Sequence, residues 1–364
     1  MADRQSRAVT EAAGVPRGPW IVLSPFGGGV NDGIGDFADR LTSALGAIHP
    51  TQLVVRRASW RELDAIDPAR TGGVIVQCYP PAFLRGDFRH LLRWLARVRA
   101  SGAHVVVTLH EFWPPLNGSF RRAAAQWVFK RVVRALVRAS TMAVVTQPLG
   151  RVKLADAVRT DRVTVIPIGA AVLPGAESVA KADGIQLVMF GQPAALQGDT
   201  LRAVAAWLAR TPGASLEWCA RSADEMRSAW TEAWQLPADR VRFSGGLPAA
   251  ELSRRLRAGH IALAPNASGT STRRSSVSAL LAQGLPIVAI DGEETSDALR
   301  ESGAFMWAAD GEPAAFVAAL DALAADPARQ AALSARASAY FDEHLSWPRL
   351  AGAYAALLKT AVTP

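Results

Sequence analysis

The sequence predicts an α/β protein made of two doubly wound, Rossmann-like domains that face each other across a cleft. The chain has 364 residues, which is long for a single hydrophobic core. Short apolar runs alternate with helical patterns, as is typical of parallel sheets with crossover helices. A stretch rich in Pro, Gly and charge at 170–184 interrupts this alternation, which then begins again.

Short apolar runs predict the strands of both domains, since strands of parallel sheets are buried on both faces. The first domain, residues 19–175, contains WIVLSP, QLVVRR, GGVIVQCY, HVVVTLH, MAVVTQ and VTVIPI. The second domain, residues 176–345, contains IQLVMFG, SLEWCA, VRFSGG, HIALAP and LPIVAI. We expect a last helix within 346–364 to cross back onto the first domain, and residues 1–18 to form a flexible tail.

The composition is that of a globular protein, with half of the residues hydrophobic and a fifth charged. No apolar run reaches the roughly 18 residues that a membrane-crossing helix needs. The two cysteines, Cys78 and Cys219, are far apart in the sequence and form no motif. We therefore expect a cytoplasmic protein, located in the cytosol or on the inner face of the cell membrane.

The positive charge lies in the first half of the chain. Residues 1–173 contain 23 Lys and Arg against 12 Asp and Glu, a net charge of +11, whereas the remainder has a net charge of −3. Arginine-rich amphipathic helices are predicted within 83–100 and 120–139. Such helices either cover a sheet with a solvated outer face or lie on an anionic membrane. Nucleic acid is not an expected partner, because no known recognition module is present.

A glycine-rich loop follows the first predicted strand, in the segment SPFGGGVNDGIGDFADRLTSAL. The apolar spacing predicts that a helix begins near Ile34. Gly29, Gly33 and Gly35 would let the backbone approach a ligand closely, and free N–H groups at a helix start favour an anion or a sugar hydroxyl. A purely structural loop is the alternative.

A dinucleotide site is a further interpretation of this loop. Residues Gly33–Ala38 fit the pattern G-x-G-x-x-A, and Arg56 and Arg57 stand where a 2′-phosphate would be recognised. That pattern should follow its strand directly, but other residues intervene after Ser24. The spacing therefore disfavours an NADP-dependent enzyme.

The segment GTSTRRSSVSALLAQGLP predicts a phosphate-binding turn before an apolar helix. Ser275 and Ser276 would fall at the N-cap or in the first turn, where hydroxyl and N–H groups can bind phosphate oxygens. Arg273 and Arg274 would add fixed charge, and Thr272 a further hydroxyl. The alternative is a capped helix with solvated arginines.

The layout resembles the GT-B glycosyltransferases, and within them family 4, over about residues 19–360. DGIGDFADRLTSAL is similar to the first glycine loop and helix of that family, and VVVTLHE to the strand that ends in an active-site His. VTVIPIGA, LVMFGQPAALQGDTLRAVAAWL and LSWPRLAGAYAALL resemble later segments in the same order. The resemblance implies a nucleotide-diphosphate-sugar donor in the second domain and an acceptor in the first.

The chain departs from the family pattern at its diphosphate ligands. The family has Arg after the residue equivalent to Gly191 and Lys five residues later, whereas this chain has Gln192 and Gln197. The paired glutamates of the family would fall at Ser271 and Ala279. One branch of the family has a turn similar to S-x-R-R-G-S, so we expect the two arginines of this turn to replace the missing cations.

The resemblance also implies the catalytic residues and the reaction. His110 is expected to face the cleft near the donor sugar, and Asp36 or Asp32 would be the base if the enzyme inverted configuration. Family 4 implies retention, and no D-x-D motif occurs, so no metal or other cofactor is expected. We thus predict a hexosyl-type glycosyltransferase of bacterial polysaccharide biosynthesis with a glycan or lipid-linked acceptor. A GT-B protein that binds without turnover and an epimerase or NADP enzyme remain alternatives.

Overall fold

A computed structural model describes residues 18–27, 33–56, 58–84, 87–112, 120–155, 159–192, 196–308 and 312–359. Within these residues twelve strands form two six-stranded sheets, and the strand pairs are parallel. The predicted α/β class with two doubly wound sheets is confirmed.

The first sheet contains β1 (Trp20–Ser24), β2 (Thr51–Val55), β3 (Gly73–Cys78), β4 (His104–Leu109), β5 (Met142–Val145) and β6 (Val163–Val165). Its strand order is β2-β1-β3-β4-β5-β6. The surrounding helices are α1 (Gly33–Gly46), α2 (Phe88–Ala100), α3 (Phe120–Ala139) and α4 (Pro148–Leu154). All six residues of β3 are buried, because helices cover both faces of the sheet.

The second sheet contains β7 (Gln186–Phe190), β8 (Ser215–Cys219), β9 (Val241–Ser244), β10 (Ile261–Ala264), β11 (Ile287–Ile290) and β12 (Phe305–Ala308). Its strand order is β12-β11-β10-β7-β8-β9. The helices are α5 (Gly198–Arg210), α6 (Ala223–Trp234), α7 (Ala249–Ala258), α8 (Ser275–Ala282), α9 (Asp297–Glu301), α10 (Pro313–Ala324) and α11 (Pro327–Tyr340). The sequence did not predict β12, which pairs with β11 along its whole length.

The last helix, α12 (Trp347–Lys359), crosses back to the first sheet as predicted. Its Trp347 and Tyr354 are buried in one apolar cluster with Phe37 and Leu41 of α1. The Tyr354 hydroxyl also lies 2.9 Å from Oγ1 of Thr108 on β4. The last helix therefore packs against α1 and β4 of the first domain.

The segment that joins the two sheets is hydrogen-bonded to the second domain. The N–H of Ile168 donates to the carbonyl of Thr272 at 3.0 Å, and the Ser278 hydroxyl donates to the carbonyl of Ile168 at 2.6 Å. The Gln283 amide donates to the carbonyl of Val172 at 3.1 Å. These bonds bring the loop before α8 against the carboxyl end of the first sheet.

Candidate active site

Two adjoining cavities lie between the carboxyl ends of the two sheets. The larger, of about 600 Å³, is lined by Phe26, Gly33, Ile34, Tyr79, His110, Glu111, Ile168, Arg273 and Ser275. The smaller, of about 440 Å³, shares Tyr79, His110, Glu111 and Arg273, and extends to Pro81, Phe112, Phe129, Thr146, Gln147, Lys153 and Glu294. Ligands of open α/β sheets bind at this edge, so the cleft is the candidate active site.

The predicted phosphate-binding turn forms one wall of the cleft. Helix α8 begins at Ser275, and its N-cap Arg274 makes no side-chain cap hydrogen bond. The first N–H groups of a helix have no partner within it, so a ligand can use them. Thr272 is buried beneath the turn, and Ser275 lines the larger cavity.

Both arginines of the turn share one carboxylate that sequence reasoning missed. Oε2 of Glu294 accepts from Nε of Arg273 at 2.9 Å and from a guanidinium nitrogen of Arg274 at 3.4 Å. The side chains are 26% and 18% exposed, and that of Glu294 is 12% exposed. Burial, together with the charge of Arg273, lowers the pKa of Arg274. The two cations thus keep a net positive charge but are fixed in position.

Gly191 brings the loop after β7 against the first turn of α8. Its φ is +121°, and an added Cβ would lie 3.2 Å from Oγ of Ser276. The two glutamines at which the sequence departs from the pattern that it resembles have partners within the fold. Gln192 accepts a hydrogen bond from Ser222 at 3.0 Å, and Gln197, at the N-cap of α5, accepts one from Thr200.

His110 lies at the end of β4 on the opposite wall. Its Nε2 is 2.7 Å from Oε1 of Gln77, a fully buried residue of β3, so Nε2–H donates to the amide oxygen. The ring of Phe37 meets the imidazole edge-on, with 5.1 Å between centroids. Burial lowers the pKa of His110 to about 4, so the ring is neutral at pH 7. Gln77 was detectable as a lone amide in an apolar strand.

Of the remaining predicted residues, some line the cleft and others do not. Gly33 lines the larger cavity and Gly35 is buried in α1. Asp36 is half-buried in the first turn of α1 and is not among the residues that line the cavity. Gly29, Asp32 and Arg57 lie outside the described residues. Arg56 donates to the carbonyl of Ala82 at 2.6 Å.

No group of three or more His, Cys, Asp or Glu side chains in the described residues could hold a metal ion. Independence from metal remains a prediction that rests on the sequence and on the arginines.

Comparison with known structures identifies the fold. The chain is similar to sucrose-phosphate synthase from Thermosynechococcus elongatus, with a TM-score of 0.68, 15% identity, and coverage of 93% of this chain and 98% of that one. It is also similar to HepE from Anabaena in complex with UDP and glucose (TM-score 0.65, 15% identity, coverage 93% and 99%). A trehalose-6-phosphate synthase studied for glycosyl transfer with retention is similar as well. The TM-score is 0.62 and the identity 13%, with coverage of 93% of this chain and 98% of that one.

No protein-family model matches the sequence, and no curated protein matches it by sequence. The structural similarities nevertheless cover 93% of this chain. The chain therefore has the GT-B fold.

Proposed function

We propose that the protein is a glycosyltransferase that moves a sugar from a nucleotide-diphosphate sugar to a glycan, glycolipid or other acceptor. The observation that carries the proposal is the pair Arg273 and Arg274 at the start of α8, which is fixed by Glu294. Arg273 lines the cleft from the second domain, and Arg274 is more buried beside it. Departure of the sugar leaves negative charge on the β-phosphate. Preorganised cations and helix N–H groups stabilise that charge in the transition state.

The transfer is proposed to need no metal ion, because the arginines supply the charge that a bound cation would otherwise supply. The neutral imidazole of His110 is suited to hydrogen bonding with an uncharged sugar hydroxyl near the reacting carbon. Retention of configuration is proposed from the resemblance to family 4, and Asp36, the base candidate for an inverting reaction, does not line the cavity. The likeness to a trehalose-6-phosphate synthase supports the same stereochemistry.

A protein that binds nucleotide or sugar without turnover is the second candidate. It is favoured by Gln192 and Gln197, which stand where the family has cations and bond instead to Ser222 and Thr200. An NADP-dependent enzyme is less favoured, because Arg56 already donates to the backbone at Ala82.

The experiment is a thermal-shift panel in EDTA with UDP, GDP, ADP, dTDP, CMP and NADP. A ligand at about 100 times its dissociation constant adds about 2.7 kcal/mol to stability, so binding is visible. A shift with a nucleoside diphosphate supports the donor site and identifies its base. A shift with NADP alone would overturn the proposal in favour of a dinucleotide enzyme, and a panel without any shift would also contradict it.

A further inference from the structure

Helix α3 carries an exposed stripe whose character changes along its length. Phe120 is 86% exposed and Trp127 is 60% exposed, both in the first half of the helix. Arg131 and Arg138 follow at spacings of four and seven residues and are exposed on the same face. The guanidinium of Arg131 lies over the ring of Trp127, 4.6 Å from its centroid. Aromatic and cationic groups are thus placed side by side toward solvent.

The other face of α3 packs against the core of the first domain and lines the cleft. Val133 and Leu136 are buried in the core of the first domain. Phe129 lines the smaller cavity of the cleft, beside Lys153 and Glu294. The helix therefore lies between the candidate active site and the outer surface.

The surface continues onto α2 across a groove of about 540 Å³. The groove is lined by Arg61, Phe83, Leu84, Asp87, Phe88, Arg89, His90, Arg93 and Val132. Leu84 is 49% exposed, and Arg89 and Arg93 are exposed beside it. The carboxylate of Asp87 is held by Arg61 at 3.1 Å and by the Ser59 hydroxyl. Its charge is therefore partly neutralised within the fold.

The charged residues of the segment that contains α3 are all basic. Residues 112–155 contain eight Lys and Arg and no Asp or Glu. Large aromatic side chains that are exposed together, as Phe120 and Trp127 are, mark an interaction surface rather than a solvated helix face. A second copy of the chain does not fit well, because the same cationic surface would face itself across a two-fold axis.

We propose that this docking face, formed by Leu84, Phe120, Trp127, Arg89, Arg93, Arg131 and Arg138, binds the surface of a bilayer that contains anionic phospholipid. The aromatic rings enter the headgroup boundary, where Trp is favoured, and the arginines bind lipid phosphates. No described helix is long and apolar enough to cross a membrane. One consequence rests on the proposed function: an acceptor anchored in that bilayer would reach the cleft along the side of α3 that carries Phe129.

The test is co-sedimentation of the full chain with vesicles of phosphatidylcholine alone or mixed with phosphatidylglycerol. The wild type should bind the mixed vesicles at least about tenfold more tightly, and added salt should weaken the binding. Phe120→Ser/Trp127→Ser and Arg93→Glu/Arg131→Glu should each reduce binding about tenfold or more. The matched controls are Met226→Ser and Arg202→Glu/Arg227→Glu, which change exposed residues of the second domain.

Absence of wild-type binding to mixed vesicles would overturn the docking face. Equal losses in the controls and in the docking-face variants would also overturn it, since they would indicate diffuse attraction of a basic chain. The nucleotide thermal shift is measured on the same variants in parallel. Vesicle binding without any nucleotide shift would contradict the proposed function and leave the docking face supported, and the reverse result would do the opposite.

Discussion

The two walls of the cleft hold their polar groups in different ways. On the second-domain wall, Arg273 and Arg274 are charged and are fixed by the carboxylate of Glu294. On the first-domain wall, His110 is neutral, because burial lowers its pKa to about 4, and Gln77 orients it. Under the proposed function, this difference assigns the anionic leaving group to Arg273 and Arg274 and an uncharged sugar hydroxyl to His110.

The largest expected effect comes from removing the charge of one wall. Arg273→Ala and Arg274→Ala should each raise the dissociation constant of the preferred nucleoside diphosphate about ten- to hundredfold, because one charged hydrogen bond contributes about 1.5–3 kcal/mol. Isothermal titration calorimetry measures these dissociation constants. Arg202→Ala is the control, since Arg202 pairs with Asp199 on the same exposed helix face. Unchanged affinity in both turn variants would remove the phosphate assignment.

The lowered pKa of His110 predicts a specific dependence of stability on pH. The pKa of His110 falls from 6.5 to about 4 on folding, so the unfolded chain binds the proton first as the pH decreases. The stabilisation is complete above pH 6.5 and is lost between pH 6.5 and about 4. In that window the free energy of unfolding should fall more steeply for the wild type than for His110→Asn, by at most about 1.4 kcal/mol per pH unit. Denaturant unfolding at several pH values measures both slopes, and identical slopes would show that His110 titrates normally.

Much of the fold was predictable because it depends on local patterns. Buried parallel strands appear as apolar runs, and the first turn of α8 follows from the apolar spacing after Ser275. β12 was missed because two of its four residues, Met306 and Trp307, are half-buried, so the segment lacks the continuous buried run of the central strands. Glu294 was missed because its contact with Arg273 joins two loops that follow different strands. Such contacts depend on how loops pack against each other, so the hydrophobic periodicity of the sequence does not predict them.

The smallest expected effect comes from neutralising Glu294, the carboxylate that pairs with both arginines. Glu294→Gln keeps the shape and removes a negative charge next to both arginines, so nucleoside diphosphate should bind a few-fold more tightly at low salt. Glu301→Gln, at an exposed position of α9, is the control. A weaker affinity in Glu294→Gln would show instead that the carboxylate is needed to position the arginines.

The most direct test of the account is the release of nucleoside diphosphate from nucleotide sugars by the purified protein in EDTA. The wild type and the double variant Arg273→Ala/Arg274→Ala are compared, and circular dichroism verifies that both are folded. We expect release by the wild type, selective for one donor base, and its loss in the double variant. Equal release by the two proteins, or release that requires added metal ion, would contradict catalysis by the fixed charges of the second-domain wall.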